Sequence, residues 1–529
     1  MSRAFDQPGR SPVVAENGLA ATSHPLATQS AISVLKAGGN AVDAAIAASA
    51  TLCVVEPAMT GIGGDCFAIV AEPDGSIHGL NGSGRAASRL DAGWYRDNGF
   101  SEIPETGPHS VTVPGAVKAW ETLLNRFGTR GFDELFADAI RYADDGFAIH
   151  QRVAWDWQRY VADLSLDEGG ARHCLVGGRA PREGERFRFP ALAATLRAIA
   201  SGGAKAFYDG EIAAEIAATV KRLGGFLEED DLAAVSADWI DPVGTDYRGV
   251  RLLEIPPNGQ GITALIQLAI LERIAPVGAE ALSAERLHAL IEAGRLAYSV
   301  RDHLVADPAA MTLPVETLLS PVFAADLAAR FDPARRIEDL SLPKMPASST
   351  IYLTVADRDG RLVSFINSVY AGFGSRVVTP RSGIVLQNRG ACFTLAEGHP
   401  NEIGPGKRPM HTIIPAMVLK DGLPWMSYGV MGADYQPMGH VHVLTNMVDH
   451  GMGAQQAVDH PRIFWEEDGV LDAESGLPDD ALTALRRLGH RTQRAARPYG
   501  GAQVIMIDRE NGFFVGASDP RKDGCAMGW

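Results

Sequence analysis

Cysteine is scarce in this sequence and shows none of the spacings that indicate a disulfide framework or a zinc site. The 529 residues contain five cysteines, an odd number, and no CxxC pair occurs among them. Residues 1–17 also lack the apolar segment of a secretory signal. These absences predict a protein of the reducing cytoplasm without disulfide bonds.

Long apolar runs and an excess of positive charge are missing as well. The longest apolar stretch, residues 41–55, contains Asp43 and is too short to cross a bilayer, so it predicts a buried helix. The formal net charge is -16, and no run of Lys and Arg interrupts it. Because nucleic acids and anionic membranes repel such a chain, we expect neither as a partner. We expect a small molecule as the ligand.

The common catalytic and cofactor motifs are absent too. There is no GxSxG, HExxH, Walker loop or GxGxxG after a strand. His440 and His442 are predicted to lie on a helix, where residues i and i+2 point in different directions and make a poor metal pair. Residues 60–65 could cradle an anion, although a tight helix-to-strand turn is the favoured explanation of their glycines. We therefore expect no metal and no cofactor.

Helical spacing of apolar residues occurs near both ends of the chain and through its middle. We expect Ser23 to cap a first helix and Asn40 to cap a second helix that runs to about Val55. Residues 115–330 are predicted to be mainly helical. The clearest later helices are predicted at 190–200, 211–223, 283–300 and 440–459.

Strands are predicted in two blocks. A buried strand at 66–71 lies in the first block. The clearest hairpin of the second block has strands at 350–356 and 361–369 with a turn between them. Further strands are expected at 383–393, 416–420 and 425–430. Two β-rich blocks with helices before and after them predict an α+β fold of stacked sheets covered by helices.

The junction before the second block is the most informative chemical feature. A polar segment, residues 332–348, leads into Ser349 and Thr350 at the start of a strong strand. The Thr350 hydroxyl could attack the carbonyl of the small residue Ser349. Cleavage would leave Thr350 with a free α-amine, whose pKa of about 8 suits a general base near neutral pH. Taken alone, the same residues are also typical of a capped turn.

Several motifs of one family occur here in the family's order. They include Ala-Thr-Ser-His-Pro at 21–25, Leu-Lys-Ala-Gly-Gly-Asn-Ala-Val-Asp-Ala-Ala at 35–45, Gly-Ile-Gly-Gly-Asp at 61–65, Gly-Lys-Arg-Pro at 406–409 and Ser-Asp-Pro-Arg at 518–521. With these motifs the sequence resembles the γ-glutamyltranspeptidase family of N-terminal-nucleophile hydrolases over nearly its whole length.

The resemblance implies an αββα sandwich made by an autoprocessed precursor. It implies cleavage between Ser349 and Thr350 into a large chain segment, 1–349, and a small one, 350–529, which stay together as one intertwined domain. A homodimer is compatible with this organisation. Thr350 is the implied nucleophile and Ser368 the hydroxyl that hydrogen-bonds it.

The resemblance also implies an oxyanion hole and residues that support the nucleophile. The backbone N–H groups of the hole fall on Gly432 and Ala433, where the family has a Gly-Gly pair. Alanine serves there only if its backbone angles tolerate a Cβ atom. Tyr370 stands where an asparagine is frequent, and we expect it to support the nucleophile.

Two positions that hold an amino-acid substrate in the family are changed. The arginine for the substrate α-carboxylate is replaced by Ser83, with Arg85 two residues later. The aspartate for the α-ammonium is replaced by Cys392. An ammonium buried beside a thiol would lack a counter-ion, which is costly.

Other residues at the implied substrate pocket favour a carboxylate. Arg389 precedes Cys392 by three residues, and arginine binds carboxylates through two parallel hydrogen bonds. His411 and Thr412 replace a pair of serines. We expect Arg85, Arg389, His411 and Thr412 to bind a substrate that has a carboxylate near the amide and no nearby ammonium.

The sequence therefore predicts an amide hydrolase that forms an acyl-enzyme on Thr350. Oxamate-like or glutaryl-like amides are the favoured substrates, since the segments 388–390 and 430–432 look more like those of the oxamate branch of the family. One alternative is a genuine γ-glutamyltransferase or glutathione hydrolase. Another is a relative without activity that serves as a binding or scaffold protein.

Overall fold

A computed structural model describes residues 9–338, 340, 349–465 and 468–529. The predicted polar segment before Thr350 lies mostly outside these ranges. No helix among the described residues is long and apolar enough to cross a membrane.

The strands, in chain order, are β1 (Val13–Ala15), β2 (Gly18–Thr22), β3 (Asp65–Ala71), β4 (Ile77–Gly82), β5 (Phe147–Ala148), β6 (Arg186–Phe187), β7 (Asp238–Ile240), β8 (Val243–Tyr247), β9 (Val250–Glu254), β10 (Ser349–Asp357), β11 (Leu362–Tyr370), β12 (Ala416–Lys420), β13 (Leu423–Met431), β14 (Ile463–Trp465), β15 (Leu471–Ala473), β16 (Thr492–Arg494), β17 (Gly501–Asp508), β18 (Phe513–Ser518) and β19 (Cys525–Gly528).

The helices are α1 (Pro25–Lys36), α2 (Ala41–Val55), α3 (Ala92–Asp97), α4 (Ala116–Phe127), α5 (Phe132–Leu135), α6 (Ala137–Asp145), α7 (Gln151–Trp157), α8 (Val161–Leu166), α9 (Glu168–His173), α10 (Pro190–Gly202), α11 (Lys205–Tyr208), α12 (Glu211–Arg222), α13 (Glu229–Ala233), α14 (Gly261–Ile274), α15 (Ala284–Leu304), α16 (Val315–Leu318), α17 (Pro321–Ala328), α18 (Gln436–His450), α19 (Ala454–Asp459) and α20 (Asp479–Arg487).

Two antiparallel sheets form the centre of the molecule. Within the described ranges each has seven strands: one in the order β1-β18-β17-β13-β12-β9-β8, the other in the order β19-β2-β10-β11-β3-β4-β7. Both sheets contain strands from before and after residue 349. A break in the chain at that residue would therefore leave the two parts joined through both sheets.

The sheets stack face to face and helices cover their outer faces. Apolar side chains of the two inner faces meet between the sheets, among them Phe67, Tyr352, Met417 and Ile505. Helices α1 and α2 pack against the sheet that contains β10, and α14 and α18 pack against the sheet that contains β13. The layers follow the order helix, sheet, sheet, helix, which confirms the predicted αββα sandwich.

Several predicted elements are confirmed and others need correction. The helix at 41–55 and the hairpin at 350–369 are present as α2 and as β10–β11. The first helix is capped by His24 rather than Ser23, because His24 Nδ1 accepts from the Leu26 amide at 3.2 Å. Ser23 instead donates to the Glu56 carboxylate at 2.6 Å.

Three other predictions were wrong in part. Residues 383–393 form no strand: the segment makes only isolated bridges, one of them between Gly63 and Leu386, and then turns into a 3₁₀ helix, Arg389–Cys392. The predicted helix at 440–459 is divided into α18 and α19, since Gly451 adopts a left-handed φ of 61°. The mainly helical middle of the chain also contains β8 and β9, which belong to a central sheet.

Close backbone contacts explain two of the glycines at 60–65, in keeping with the favoured turn. A Cβ atom on Gly63 would lie 2.2 Å from the Val385 carbonyl oxygen, and one on Gly64 would lie 2.1 Å from that of Ser368. Backbone therefore approaches backbone too closely for a side chain. This contact sets the start of β3 directly against β11.

The carboxylate of Asp65, at the start of β3, joins four other segments. Its Oδ1 accepts from the Gly84 and Gly115 amides, each at 3.0 Å, and from Gln387 Nε2 at 2.9 Å. Its Oδ2 accepts from His411 Nε2 at 3.0 Å. The side chain is fully buried, and without it the Gly84 amide and His411 Nε2 would lose the acceptor that the structure gives them.

We predict that Asp65→Asn lowers the free energy of unfolding by more than about 3 kcal/mol. An amide group in this place turns one acceptor into a donor that faces other donors. The measurement is urea denaturation in a Thr350→Ala background, which keeps the cleavage state constant.

The matched control is Asp74→Asn, on the exposed turn between β3 and β4, where the carboxylate bonds only to Ser76 nearby. Equal small losses, below about 0.5 kcal/mol, in both variants would show that Asp65 has no special role.

Candidate active site

Thr350 lies at an irregular point of β10, where the strand pairs with β11. Ser349 pairs with Tyr370, whereas Ile351 pairs with Asn367, so the register shifts at Thr350. Such a bulge bends the strand and redirects the side chain at the shift. Thr350 is 1% exposed, and its hydroxyl oxygen lies 3.1 Å from that of Ser368. The structure therefore brings together the predicted nucleophile and its predicted partner.

Tyr370 supports this pair from the end of β11. Its backbone N–H donates to the Ser368 hydroxyl oxygen at 2.8 Å. Its φ is 77°, an uncommon conformation for a residue with a side chain. Its ring lies under the Arg389 guanidinium, 4.5 Å from the carbon of that group, in a cation–π contact. Tyr370 thus fixes both Ser368 and Arg389.

Arg389 is a fully buried cation beside the nucleophile. Its Nη1 donates to the Thr412 hydroxyl at 2.6 Å, and its Nη2 lies 3.5 Å from the Ser368 hydroxyl oxygen. Among the described residues no carboxylate pairs with this guanidinium, and its Nε has no hydrogen-bond partner. A buried charge without a counter-ion is costly and is typical of ligand sites.

Cys392 does not supply the missing negative charge. Its Sγ lies 3.7 Å from Arg389 Nη1. Burial raises the pKa of the Cys392 thiol above its usual value, and the Arg389 guanidinium only partly opposes this effect. The thiol is therefore neutral near neutral pH, and Arg389 keeps its unbalanced charge.

Gly432 and Ala433 form the turn between β13 and α18. Their φ angles are 137° and 40°, so Ala433 accepts the left-handed conformation despite its Cβ atom. A 3₁₀ turn, Ala433–Tyr435, leads directly into α18. The first N–H groups of a helix have no acceptor within the helix, and its dipole favours negative charge there. Gly432 also lines the cavity of Thr350, so the turn stays the candidate for the predicted oxyanion hole.

Gln260 holds this turn against the Arg389 side of the site. Its Nε2 donates to the carbonyl oxygens of Thr412, at 2.7 Å, and of Ala433, at 2.8 Å. Its Oε1 accepts from Arg301 Nη1 at 2.7 Å. Sequence reasoning missed Gln260, because only the folded chain shows that one side chain spans both segments.

Asp434 was also missed, although a carboxylate directly after a proposed oxyanion turn is a signal that could have found it. It lines the same cavity as Thr350 and Gly432. Its Oδ1 accepts from Arg301 Nη1 at 2.6 Å, so its charge already has a partner. Asp434 is therefore not a vacant counter-ion for a substrate ammonium.

Two of the predicted substrate-binding residues need correction. Arg85 points away from the Thr350 cavity: its side chain is 45% exposed, donates to the Gly406 carbonyl at 3.0 Å and lies 3.7 Å from the Asp307 carboxylate. His411 is buried, with Nε2 bonded to Asp65 and Nδ1 accepting from the Ile413 amide at 3.3 Å.

The charge state of His411 supports the same correction. Burial and the nearby Arg389 guanidinium lower the pKa of His411 to about 3, so its ring is neutral at neutral pH. A neutral ring with both nitrogens engaged has no donor for a substrate carboxylate. Of the four predicted residues, the structure leaves Arg389 and Thr412 beside the nucleophile.

A threonine hydroxyl at the start of a sandwich strand, beside a glycine turn that opens a helix, defines the class of N-terminal-nucleophile hydrolases. Comparison with known proteins then identifies the family. Residues 27–529 match the family described as Gamma-glutamyltranspeptidase, and the chain belongs to that family. The resemblance stated from the motifs is thereby confirmed.

Individual relatives have similar length and fold. The Glutathione hydrolase-like YwrD proenzyme of Bacillus subtilis is 37% identical, with 98% of this chain and 99% of the relative aligned. The Oxamate amidohydrolase proenzyme of Klebsiella pneumoniae subsp. pneumoniae is 36% identical over the same shares. The crystal structure of cephalosporin acylase from Bacillus halodurans is 40% identical, with a TM-score of 0.93 over 100% of this chain and 99% of that one.

These relatives are hydrolases, amidohydrolases and acylases, and most are named as proenzymes. The chain is accordingly an enzyme of the N-terminal-nucleophile hydrolase type, in a family of autoprocessed amidohydrolases. The alternative of a scaffold without activity loses its support.

We predict that Ala433→Gly keeps the turnover number within about threefold of the unmodified enzyme, whereas Ala433→Val lowers it by roughly tenfold to a thousandfold. Glycine retains the N–H and tolerates the left-handed angle, but a β-branched residue does not. The measurement is steady-state kinetics on processed protein.

Circular dichroism of both variants controls for loss of fold. Near-normal turnover in a folded Ala433→Val variant would contradict the predicted role of Ala433 in an oxyanion hole.

Proposed function

We propose that the chain is cut between Ser349 and Thr350 and then hydrolyses small amides whose acyl part carries a carboxylate. The observation that carries this proposal is the buried guanidinium of Arg389, which contacts the nucleophile's partner Ser368 and has no carboxylate partner among the described residues. A substrate carboxylate would supply the missing charge through charge-assisted hydrogen bonds.

In the proposed reaction the Thr350 hydroxyl oxygen attacks the amide carbon of the substrate. The α-amine freed by cleavage takes the hydroxyl proton and passes it to the departing amine nitrogen as the carbon–nitrogen bond breaks. The N–H groups of Gly432 and Ala433 hold the negative charge that develops on the amide oxygen. Water then attacks the acyl ester, which releases the acid and restores the Thr350 hydroxyl.

The position of Arg389 favours a short acyl part without an ammonium. Arg389 Nη2 contacts the Ser368 hydroxyl, and that hydroxyl contacts the Thr350 hydroxyl. A substrate whose carboxylate is bound by Arg389 while Thr350 attacks its amide carbon therefore has only a few bonds between these two groups. The neutral thiol of Cys392 stands nearby instead of an acid. Oxamate-like and glutaryl-like amides fit these conditions, in keeping with relatives named oxamate amidohydrolase and cephalosporin acylase.

The second candidate is γ-glutamyl chemistry, which the relative named glutathione hydrolase-like supports. Such a substrate would place an ammonium near Cys392 and Arg389, where it finds a thiol and a cation rather than a free carboxylate. This arrangement makes γ-glutamyl substrates the less favourable choice.

We predict that purified protein contains two chains that remain associated, one of them starting at Thr350. Intact-mass analysis and N-terminal sequencing measure this directly. The variant Thr350→Ala should remain a single chain and be inactive, because cleavage and turnover both use the hydroxyl. A new terminus at another residue would rule out Thr350 as the nucleophile.

We predict a preference for glutaryl-p-nitroanilide over γ-glutamyl-p-nitroanilide of about tenfold to a few hundredfold in kcat/KM, because one charged hydrogen bond kept or lost is worth about 1.5–3 kcal/mol. Arg389→Gln should reduce this preference mainly by raising KM, and Cys392→Asp should shift it toward the γ-glutamyl substrate.

Arg89→Gln is the matched control, since Arg89 is 68% exposed and pairs with Glu228 on the surface. Equal or faster turnover of the γ-glutamyl anilide by the unmodified enzyme would contradict the proposed selectivity and support glutathione hydrolase chemistry.

A further inference from the structure

Glu254 and His440 form a buried ionisable pair outside the site described above. Glu254 is the last residue of β9, and His440 lies in the second turn of α18. Glu254 Oε1 and His440 Nδ1 are 2.7 Å apart, and both side chains are fully buried. The other polar atom of each side chain, Glu254 Oε2 and His440 Nε2, has no hydrogen-bond partner among the described residues. Half of the polar atoms of the pair are therefore buried without a partner.

A pair of this kind is costly for the folded state. Burial raises the pKa of the Glu254 carboxyl group above its usual value, and the His440 ring only partly opposes this effect. The neighbouring side chains are apolar or aromatic, among them Leu252 and Tyr428. Replacing a buried ionisable pair by apolar side chains of similar size is often neutral or stabilising. Stability alone therefore does not account for the presence of Glu254 and His440.

His440 joins α18 to two strands of the sheet beneath it. Its carbonyl oxygen accepts from the Tyr428 hydroxyl of β13 at 3.0 Å, and the two rings lie 5.1 Å apart. Its side chain bonds to Glu254 of β9. Because β13 leads into the Gly432 turn and α18 leaves it, His440 fixes the position of one of these elements relative to the other.

Glu254 connects this point to Gln260. A Cβ atom on Gly261, the first residue of α14, would lie 2.6 Å from Glu254 Cβ, so the start of α14 packs directly on Glu254. Gln260 precedes Gly261 and donates to the Ala433 carbonyl oxygen at 2.8 Å. Two polar links therefore join the β9–α14 connection to the turn and its helix: Gln260 with Ala433, and Glu254 with His440. Two links fix an orientation that a single link would leave free to rotate.

The Gly432–Ala433 turn is a place where such support is needed. The φ angle of Ala433 is 40°, which is uncommon for a residue with a side chain. A backbone of this kind persists only where the surrounding structure over-determines it. An oxyanion hole works only when its N–H groups point at the position of the developing charge. The direction of these groups thus depends on how firmly the turn is held.

We propose that Glu254 and His440 are positioning residues, whose buried hydrogen bond holds the Gly432–Ala433 turn in the geometry that binds the oxyanion. This inference rests on the proposed function, acyl transfer on Thr350. Neither residue lines the Thr350 cavity, so the pair acts through α18 and the Gln260 segment rather than on the substrate. The oxyanion develops only in the transition state, and the pair therefore affects kcat rather than KM.

The first test is the double variant Glu254→Met/His440→Leu, which replaces the pair by apolar side chains. The kcat of the processed enzyme for glutaryl-p-nitroanilide should fall roughly tenfold or more, with KM within about threefold of the unmodified value. The urea midpoint, measured in a Thr350→Ala background, should stay equal or rise. A pair with a purely structural role would give the opposite combination, a lower midpoint with unchanged kcat.

A conservative substitution separates the hydrogen bond from the residues themselves. Glu254→Gln keeps a group that can hydrogen-bond His440 Nδ1, so kcat should stay within about threefold, whereas Glu254→Met alone should show the larger loss. This comparison decides the question if the double variant does not fold. His490→Leu is the matched control, because His490 is a buried histidine bonded to His288 on the connection between α20 and β16. It should lower the urea midpoint and leave kcat unchanged.

Unchanged kcat in the double variant would overturn the inference, and so would equal losses in Glu254→Gln and Glu254→Met. Turnover of γ-glutamyl-p-nitroanilide without turnover of the glutaryl anilide would instead overturn the proposed substrate. The same variants, assayed with the γ-glutamyl anilide, would then still test the pair, because both amides form an oxyanion. Activity in Thr350→Ala would overturn the proposed function and the inference together.

Discussion

The arrangement of the site depends on the buried carboxylate of Asp65. It stands opposite Ser368 in the pairing of β3 with β11 and accepts hydrogen bonds from four other segments. Gln387 and His411 are among its donors, and they directly precede the segments that carry Arg389 and Thr412. One buried charge therefore fixes the distance between the substrate-facing residues and the residue that bonds the nucleophile.

One positive group near the reaction centre lacks a negative partner. The Arg389 guanidinium is buried without a carboxylate partner among the described residues, and it lies one contact from Ser368. Uncompensated buried charges reduce stability, and they are typical of sites where a ligand supplies the opposite charge. The position of Arg389 therefore accounts for the carboxylate on the acyl part of the proposed substrate.

The local pattern of the sequence correctly predicted the hairpin that carries Thr350 and the helix that packs against it. The alternation in 350–369 and the long apolar helix at 41–55 each follow from a few neighbouring residues, and both are present. The prediction of a strand at 383–393 was wrong, because the apolar residues of this segment suit a strand and isolated bridges equally well. Local composition does not distinguish the two outcomes, since only the folded chain shows whether a partner strand lies beside the segment.

The contents of the site were less predictable, because they depend on where side chains point. Family positions brought Arg85 and His411 into the predicted pocket, but Arg85 faces Gly406 and His411 faces Asp65. Gln260 was missed, since it reaches the site from a distant part of the chain. Asp434 was missed although it directly follows the predicted oxyanion turn. Thr350 was singled out through the family resemblance, because the residues of the junction taken alone are also typical of a capped turn.

The central claim is that acyl transfer takes place on Thr350. Rapid acid quenching of the enzyme during turnover of glutaryl-p-nitroanilide, followed by peptide mapping with mass spectrometry, tests it directly. The account predicts a glutaryl group on the peptide that begins with Thr350, carried by that residue. A glutaryl group on any other residue, or turnover with no acylated peptide under conditions where the acyl-enzyme should accumulate, would contradict it.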